Sequence, residues 1–215
     1  NDQEDVATAV KEMLLKRRAG DVMRLEVEER MSAELLSMLM KRFNVSSERR
    51  YRATGPLDVS KLLLTIYGQF DRPELKFPRG EAVVIPALAG PDIFTQIARQ
   101  DWLLYHPYHS FEPLVNLLNR AATDPDVTSI KMTLYRVGSN SPIVRALTKA
   151  AENGKQVMVL FESRARFDEE NNLAQGDRLR RAGCTVNFGL PGYKTHSKTL
   201  LITRIENGQL KRYLH

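Results

Sequence analysis

The feature that most constrains the fold is a regular alternation of strand and helix patterns in the second half of the chain. Strand-like runs at residues 127–135, 156–161 and 185–188 are separated by helical patterns at 142–152 and 171–182. The middle run, 156–161, is apolar, as expected for a strand that is covered on both faces. This βαβαβ order predicts an α/β domain with a mainly parallel sheet.

A proline-rich segment predicts a boundary within the chain. Residues 71–91 contain four prolines and two glycines, which is typical of a linker. Upstream of it the pattern is mixed, with helices predicted at 4–19, 32–41 and 57–67 and short strands at 21–28 and 49–53. We therefore predict two domains, a helical or mixed α+β domain at 1–85 and the α/β domain at 86–215, which ends in a hairpin around Glu206-Asn207-Gly208.

Composition excludes several classes of protein. With 42% hydrophobic residues the chain can bury a core, yet no apolar run approaches the roughly 20 residues that span a bilayer. The single cysteine, Cys184, excludes an internal disulfide framework and is consistent with a reducing cytoplasm. No Cys/His cluster predicts structural zinc, and no glycine-rich phosphate or dinucleotide motif is present.

Charge points to an anionic partner. The chain carries a net charge of +6, and residues 91–215 hold 17 Lys and Arg against 12 Asp and Glu. Nucleic acid, a membrane surface, a nucleotide or a phosphate polymer would all suit such a surface. The scattered aromatic residues show no stacking pattern typical of single-stranded nucleic acid binding.

The most distinctive local motif is Lys194-Thr195-His196-Ser197-Lys198, which precedes the apolar run 199–202. In an extended segment Lys194, His196 and Lys198 would point to one face. An imidazole there could attack a phosphoryl group while the lysines hold the phosphate oxygens. The alternative is a partly buried strand histidine beside two solvated lysines, and the spacing alone leaves both open.

Two arginines follow predicted strands and favour the same interpretation. Arg136 comes directly after the first strand of the α/β domain, and Arg166 follows the second. Functional groups in such sheets gather at strand ends, so Arg136, Arg166 and His196 could converge if their strands are neighbours in the sheet. A pair of guanidinium groups binds phosphate bidentately. The alternative is that both arginines are ordinary surface strand ends.

Other polar residues in this half have simpler interpretations. Asp168, Glu169 and Glu170 are typical of an acidic helix start, with a role in holding a magnesium–phosphate complex as the alternative. His106 and His109 stand at a strand-to-helix transition and are interpreted as structural, with Ser110 or His109 capping the next helix.

Six segments, in order, resemble bacterial polyphosphate kinases of the larger, phospholipase-D-like family. They are Tyr105–Phe111, Leu134–Arg136, Ser141–Val144, Ala150–Val157, Ala165–Asn171 and Lys194–Lys198. Upstream, Asp71–Pro78 resembles the end of that family's head domain. The resemblance covers essentially all 215 residues. It implies the end of a head domain followed by the first phospholipase-D-like catalytic domain, truncated at its C-terminal end.

The resemblance implies an ATP:polyphosphate phosphotransferase, which moves the terminal phosphate of ATP reversibly to inorganic polyphosphate with Mg²⁺. The family's phosphorylated histidine falls on His196, and its magnesium-associated arginines fall on Arg136 and Arg166. We expect those arginines to meet the metal through phosphate oxygens. Lys198 fills the lysine position of the His-x-Lys pattern. Thr203 replaces the aspartate of phospholipase-D-like phosphodiesterases, which weighs against that activity.

Further expectations follow from the resemblance. The substrates would be ATP or ADP and inorganic polyphosphate, and no specific nucleic acid would be bound. The full-length protein would be a cytoplasmic homo-oligomer. Peripheral contact with the inner face of the membrane is a further expectation. Because a further N-terminal domain and a second lobe lie outside this chain, we expect little polyphosphate synthesis from these residues alone. A non-catalytic polyanion-binding module and a phospholipase-D-like phosphodiesterase are the alternatives.

Overall fold

The computed structural model describes residues 2–18, 20–78, 80–162, 165, 168–190 and 192–215. The chain divides into two compact units, one formed by residues 15–79 and the other by residues 1–14 together with 80–215. The predicted division at residues 85 and 86 stays a prediction. Within the described residues, no helix is both long enough and apolar enough to cross a bilayer.

The smaller unit is a mixed α and β structure. Its strands β1 (Leu25–Glu28) and β2 (Arg50–Ala53) pair in parallel. Its helices follow the predicted pattern. They are the end of α1 (Asp2–Arg18), α2 (Ala33–Arg42) and α3 (Ser60–Gln69), with short 3₁₀ turns at Ser47–Arg49 and Pro73–Leu75. The Ser32 hydroxyl accepts a hydrogen bond from the Leu35 N–H, so it caps α2.

The larger unit contains a five-stranded sheet in the order β5-β4-β3-β6-β7. Its strands are β3 (Val127–Leu134), β4 (Gln156–Phe161), β5 (Thr185–Phe188), β6 (Leu200–Glu206) and β7 (Gln209–Leu214). β3, β4 and β5 pair in parallel, whereas β6 is antiparallel to both β3 and β7. Four of the five strands therefore run in the same direction, and the predicted α/β class with a mainly parallel sheet is confirmed.

Among the described residues of the larger unit, the first part of α1 and five further helices accompany this sheet. The five further helices are α4 (Pro86–Ala89), α5 (Ile93–Arg99), α6 (Glu112–Thr123), α7 (Pro142–Glu152) and α8 (Glu169–Arg181). The bounds of α7 match the prediction. Its start is capped by the Ser141 hydroxyl, which accepts a hydrogen bond from the Val144 N–H at 3.4 Å. Helix α8 begins two residues before its predicted start. It carries Glu169 and Glu170 in its first turn, where negatively charged side chains interact favourably with the helix dipole.

The core lies on the central strands and the helices packed against them. Fully buried side chains of this core include Ile93, Leu118, Ile130, Leu147, Phe161, Leu179 and Ile202. Cys184 is also buried. Burial raises the pKa of its thiol to about 11, so Cys184 is a protonated core side chain at neutral pH.

The edge of the sheet where β3 begins is closed by a cluster around Arg204. Its guanidinium pairs with Asp124 at 2.9 Å and with Glu206 at 2.9 Å. The Tyr213 hydroxyl donates to Glu206, and this bond lowers the pKa of that carboxyl. The cluster ties the turn before β3 to the β6–β7 hairpin.

In that hairpin Asn207 and Gly208 have φ values of 51° and 76°, which fit a two-residue turn and confirm the predicted hairpin.

Candidate active site

Three chain segments meet at the opposite edge of the sheet, which we call the carboxyl edge. β3 ends at Leu134, directly before Tyr135 and Arg136, and β4 ends directly before Glu162. Because β6 runs antiparallel to β3, residues 194–199 enter the sheet at this same edge. The topology therefore places Arg136 and the Lys194–Lys198 motif side by side, as the sequence predicts.

The side chains of this edge surround one aromatic ring. The His196 imidazole meets the Tyr135 ring edge to face, with their centroids 4.9 Å apart. The Lys198 Nζ lies 4.7 Å from the Tyr135 centroid and the Lys194 Nζ lies 5.9 Å from it. The Arg136 guanidinium carbon is 5.6 Å from the same centroid. These five residues form what we call the Tyr135 cluster.

The expected common face of Lys194, His196 and Lys198 is present, although the backbone differs from the prediction. Residues 194–199 are irregular, and β6 begins only at Leu200. The Thr133 hydroxyl donates to the Ser197 carbonyl at 2.7 Å and accepts from the Thr199 N–H at 2.8 Å. A side chain therefore takes over two contacts that backbone groups would make in a regular strand.

The Tyr135 cluster is open to solvent. Lys194, His196, Lys198 and Arg136 are exposed, and the Tyr135 ring is half-buried beneath them. Each cation over an aromatic face at an exposed site gains about 0.5–1 kcal/mol, which offsets part of the repulsion among neighbouring cations. Three cations gathered around an accessible imidazole form a surface that attracts and orients anions.

Helix α8 holds the turn that carries Tyr135 and Arg136. The Asp168 carboxylate, directly before α8, pairs with the Arg136 guanidinium at 2.9 Å. Three amide side chains of α8 then donate to carbonyls of the turn, namely Asn171 to Val137, Asn172 to Tyr135 and Gln175 to Ser139. No role for these three amides was predicted from the sequence. Their spacing on one helix face was the available signal.

Glu162 is a further residue whose role at this edge was not predicted from the sequence. Its side chain is only 2% exposed, and its Oε2 accepts a hydrogen bond from the Thr195 N–H at 2.6 Å. A carboxylate directly after an apolar strand is unusual enough to have been a signal, because buried carboxylates need hydrogen-bonding partners. Glu162 thus connects the end of β4 to the residue before His196.

Two other predicted site features can be placed only in part. Arg166 lies outside the described residues, so its role stays a prediction. The interpretation of the His106–Ser110 segment as structural fits its contacts. The His109 Nδ1 accepts from the Tyr105 N–H at 2.9 Å, and the Ser110 hydroxyl accepts from the Glu112 N–H at 3.1 Å at the start of α6.

The described side chains of the carboxyl edge suit phosphate better than a metal held by protein alone. Magnesium takes oxygen ligands, and the described part of the chain contains no group of three or more His, Cys, Asp or Glu that could hold a metal ion. Of the two carboxylates at this edge described above, Asp168 pairs with Arg136 and Glu162 accepts from the Thr195 N–H. Lysine and arginine side chains, in contrast, are donors that match phosphate oxygens.

Fold and site together define an α/β protein with a basic, histidine-centred surface that is suited to phosphate. Comparison with known families agrees. Residues 92–215 match the family described as Polyphosphate kinase C-terminal domain 1, and residues 1–64 match the Polyphosphate kinase middle domain. The chain therefore belongs to the polyphosphate kinase family.

Individual relatives show how much of such a protein the chain represents. It is 48% identical over 212 residues to a polyphosphate kinase of Prosthecochloris aestuarii, covering 98% of this chain and 30% of that protein. It is 44% identical to one of Pseudomonas aeruginosa, covering 100% of this chain and 31% of that protein. The crystal structure of polyphosphate kinase from Porphyromonas gingivalis matches with a TM-score of 0.62 and 33% identity, over 84% of this chain and 27% of that one. The chain thus spans about a third of its relatives' length.

Proposed function

We propose that this chain carries the phosphotransfer site of a polyphosphate kinase, which transfers the terminal phosphate of ATP reversibly to inorganic polyphosphate through a phosphohistidine on His196. One observation carries the proposal. The exposed His196 imidazole stands against the Tyr135 ring, with Lys194, Lys198 and Arg136 around the same ring. A nucleophile and three phosphate-binding cations are thereby gathered at one accessible place.

The chemistry has two displacement steps. In the first, an imidazole nitrogen of His196 bonds to the γ-phosphorus, and the bond from that phosphorus to the bridging oxygen breaks, which releases ADP. In the second, a terminal oxygen of polyphosphate attacks the same phosphorus and the N–P bond breaks. In both steps Lys194, Lys198 and Arg136 bind the equatorial oxygens and stabilise their charge.

The roles of Mg²⁺ and of Arg166 are expectations within this proposal. Because the described residues do not fit a metal held by the protein alone, we propose that Mg²⁺ arrives on the phosphates of ATP. Arg136 and Arg166 would then bind phosphate oxygens as donors and would not ligate the metal themselves. Homo-oligomerisation, a cytoplasmic location and peripheral contact with the membrane stay predictions.

The decisive test is phosphohistidine formation from γ-labelled ATP and Mg²⁺ in a full-length polyphosphate kinase that contains this chain. We expect acid-labile, base-stable label in the unaltered enzyme and none in His196→Ala or His196→Asn, because both variants lack the nucleophilic nitrogen. The second variant keeps a polar side chain of similar size and controls for loss of packing at the Tyr135 ring.

The remaining outcomes separate the alternatives. Equal labelling of the unaltered enzyme and the His196 variants would move the nucleophile elsewhere. Polyphosphate binding without any labelled protein would favour the non-catalytic polyanion-binding module, which the exposed cations of the Tyr135 cluster also suit. Hydrolysis of a model phosphodiester would favour the phospholipase-D-like phosphodiesterase.

A further inference from the structure

The backbone is fixed by side chains on both sides of His196. On one side the Thr195 N–H donates to the Glu162 Oε2 at 2.6 Å. On the other side the Thr133 hydroxyl bonds both the Ser197 carbonyl and the Thr199 N–H, at 2.7 and 2.8 Å. The two anchors come from neighbouring strands, so an otherwise irregular segment is held to the sheet on either side of the histidine.

The Glu162 anchor rests on a rigid support. The Glu162 N–H donates to the Leu134 carbonyl at 2.9 Å, which ties it to the end of β3. On the other side the Gly189 N–H donates to the Phe161 carbonyl at 2.7 Å, which ties the end of β4 to the end of β5. With 2% of its surface exposed, Glu162 is largely removed from water, and a hydrogen bond from a backbone N–H to a carboxylate is stronger there than a neutral one.

We propose that Glu162 is a positioning residue for the phosphotransfer reaction. By holding the Thr195 N–H it fixes the backbone immediately before His196 and sets where the imidazole stands relative to an incoming phosphoryl group. A displacement of about 1 Å at a reacting group can slow a reaction about 10²-fold. The catalytic part of this inference rests on the proposed function, whereas the anchoring of residues 195–199 does not.

The anchor is tested by hydrogen exchange in the full-length enzyme with Glu162→Gln and Glu162→Ala. Glutamine keeps the shape and an acceptor oxygen, whereas alanine removes the acceptor. We expect amide exchange in the segment 192–199 to rise about tenfold or more in the alanine variant and less in the glutamine variant, since a hydrogen bond to a charged group is lost or weakened. Exchange in β3 should stay unchanged. An equal rise throughout the sheet, or no rise in residues 192–199, would overturn the proposal.

The catalytic consequence is tested by the rate of phosphohistidine formation. We expect Glu162→Ala to be about 100-fold slower than the unaltered enzyme and Glu162→Gln to be intermediate. Asn153→Ala is the matched control, because it removes a side-chain hydrogen bond to the Ala122 carbonyl, of 2.8 Å, at the other edge of the sheet. Its rate should be unchanged, and a normal rate in Glu162→Ala would contradict the positioning role.

The two experiments also separate this inference from the proposed function. If the unaltered enzyme forms no phosphohistidine, the proposed function fails, and the exchange experiment still decides whether Glu162 anchors Thr195. If the unaltered enzyme is labelled and the Glu162 variants match it in both rate and exchange, the anchor and the positioning role are both wrong, and the proposed function stands.

Discussion

Replacing Arg136 by alanine is expected to slow phosphohistidine formation about 10²–10³-fold, the usual cost of removing one donor that stabilises transition-state charge. The guanidinium stands beside the Tyr135 ring and is held there by the 2.9 Å pair with Asp168. A donor that is positioned before substrate arrives needs little reorganisation during the reaction. Rapid-quench labelling with γ-labelled ATP measures the rate constant directly.

Three comparisons give the Arg136 prediction its specificity. Arg136→Lys keeps the charge but loses the planar fork, so an intermediate rate is expected. Asp168→Asn removes the ion-pair partner while Arg136 remains, which should cost less than Arg136→Ala. Lys149→Ala removes one positive charge from the exposed end of α7, away from the carboxyl edge, and should leave the rate unchanged. Equal rates in Arg136→Ala and Lys149→Ala would contradict a specific role for Arg136.

Much of the fold could be predicted because its signals are local. The bounds of α7 follow from Ser141 as cap and Pro142 at the first helical position, and the β6–β7 turn follows from Asn207-Gly208. The start of β6 could not be predicted, because the Thr133 hydroxyl, a distant residue in the sequence, replaces backbone contacts of residues 197–199. The same limit applies wherever a side chain from another strand determines the backbone conformation of a segment.

The candidate site likewise has one part that could be predicted from the sequence and one part that could not. Arg136 lies at this edge because it follows the carboxyl end of β3, where functional groups of parallel sheets gather. His196 precedes β6 and reaches the same edge because β6 runs antiparallel to β3. The part played by Tyr135 could not be predicted, since a tyrosine at a strand end is ordinary until three cations and an imidazole are seen around it. Glu162 likewise gains its role only from Thr195, which is remote in sequence.

Gly176→Ala is expected to lower the free energy of unfolding of the larger unit by about 1–3 kcal/mol, although alanine is the better helix former. Gly176 lies inside α8, where a Cβ would come within 2.9 Å of Phe188 Cε1 and closer still to Phe188 Cζ. The Phe188 ring is 2% exposed and stacks on Phe161 at 5.8 Å, so it has little room to withdraw. Urea unfolding followed by fluorescence of Trp102, which lies in the same unit, measures the loss.

A second helical glycine provides the opposite expectation. Gly68 lies inside α3, and a Cβ there would meet nothing within 4 Å. Gly68→Ala should therefore stabilise its helix by up to about 1 kcal/mol, seen as slower amide exchange in α3.

If overpacking causes the loss at Gly176, combining Gly176→Ala with Phe188→Leu should cost less than the sum of the two single changes. Additive costs would mean that the Phe188 ring is not what keeps a glycine in α8.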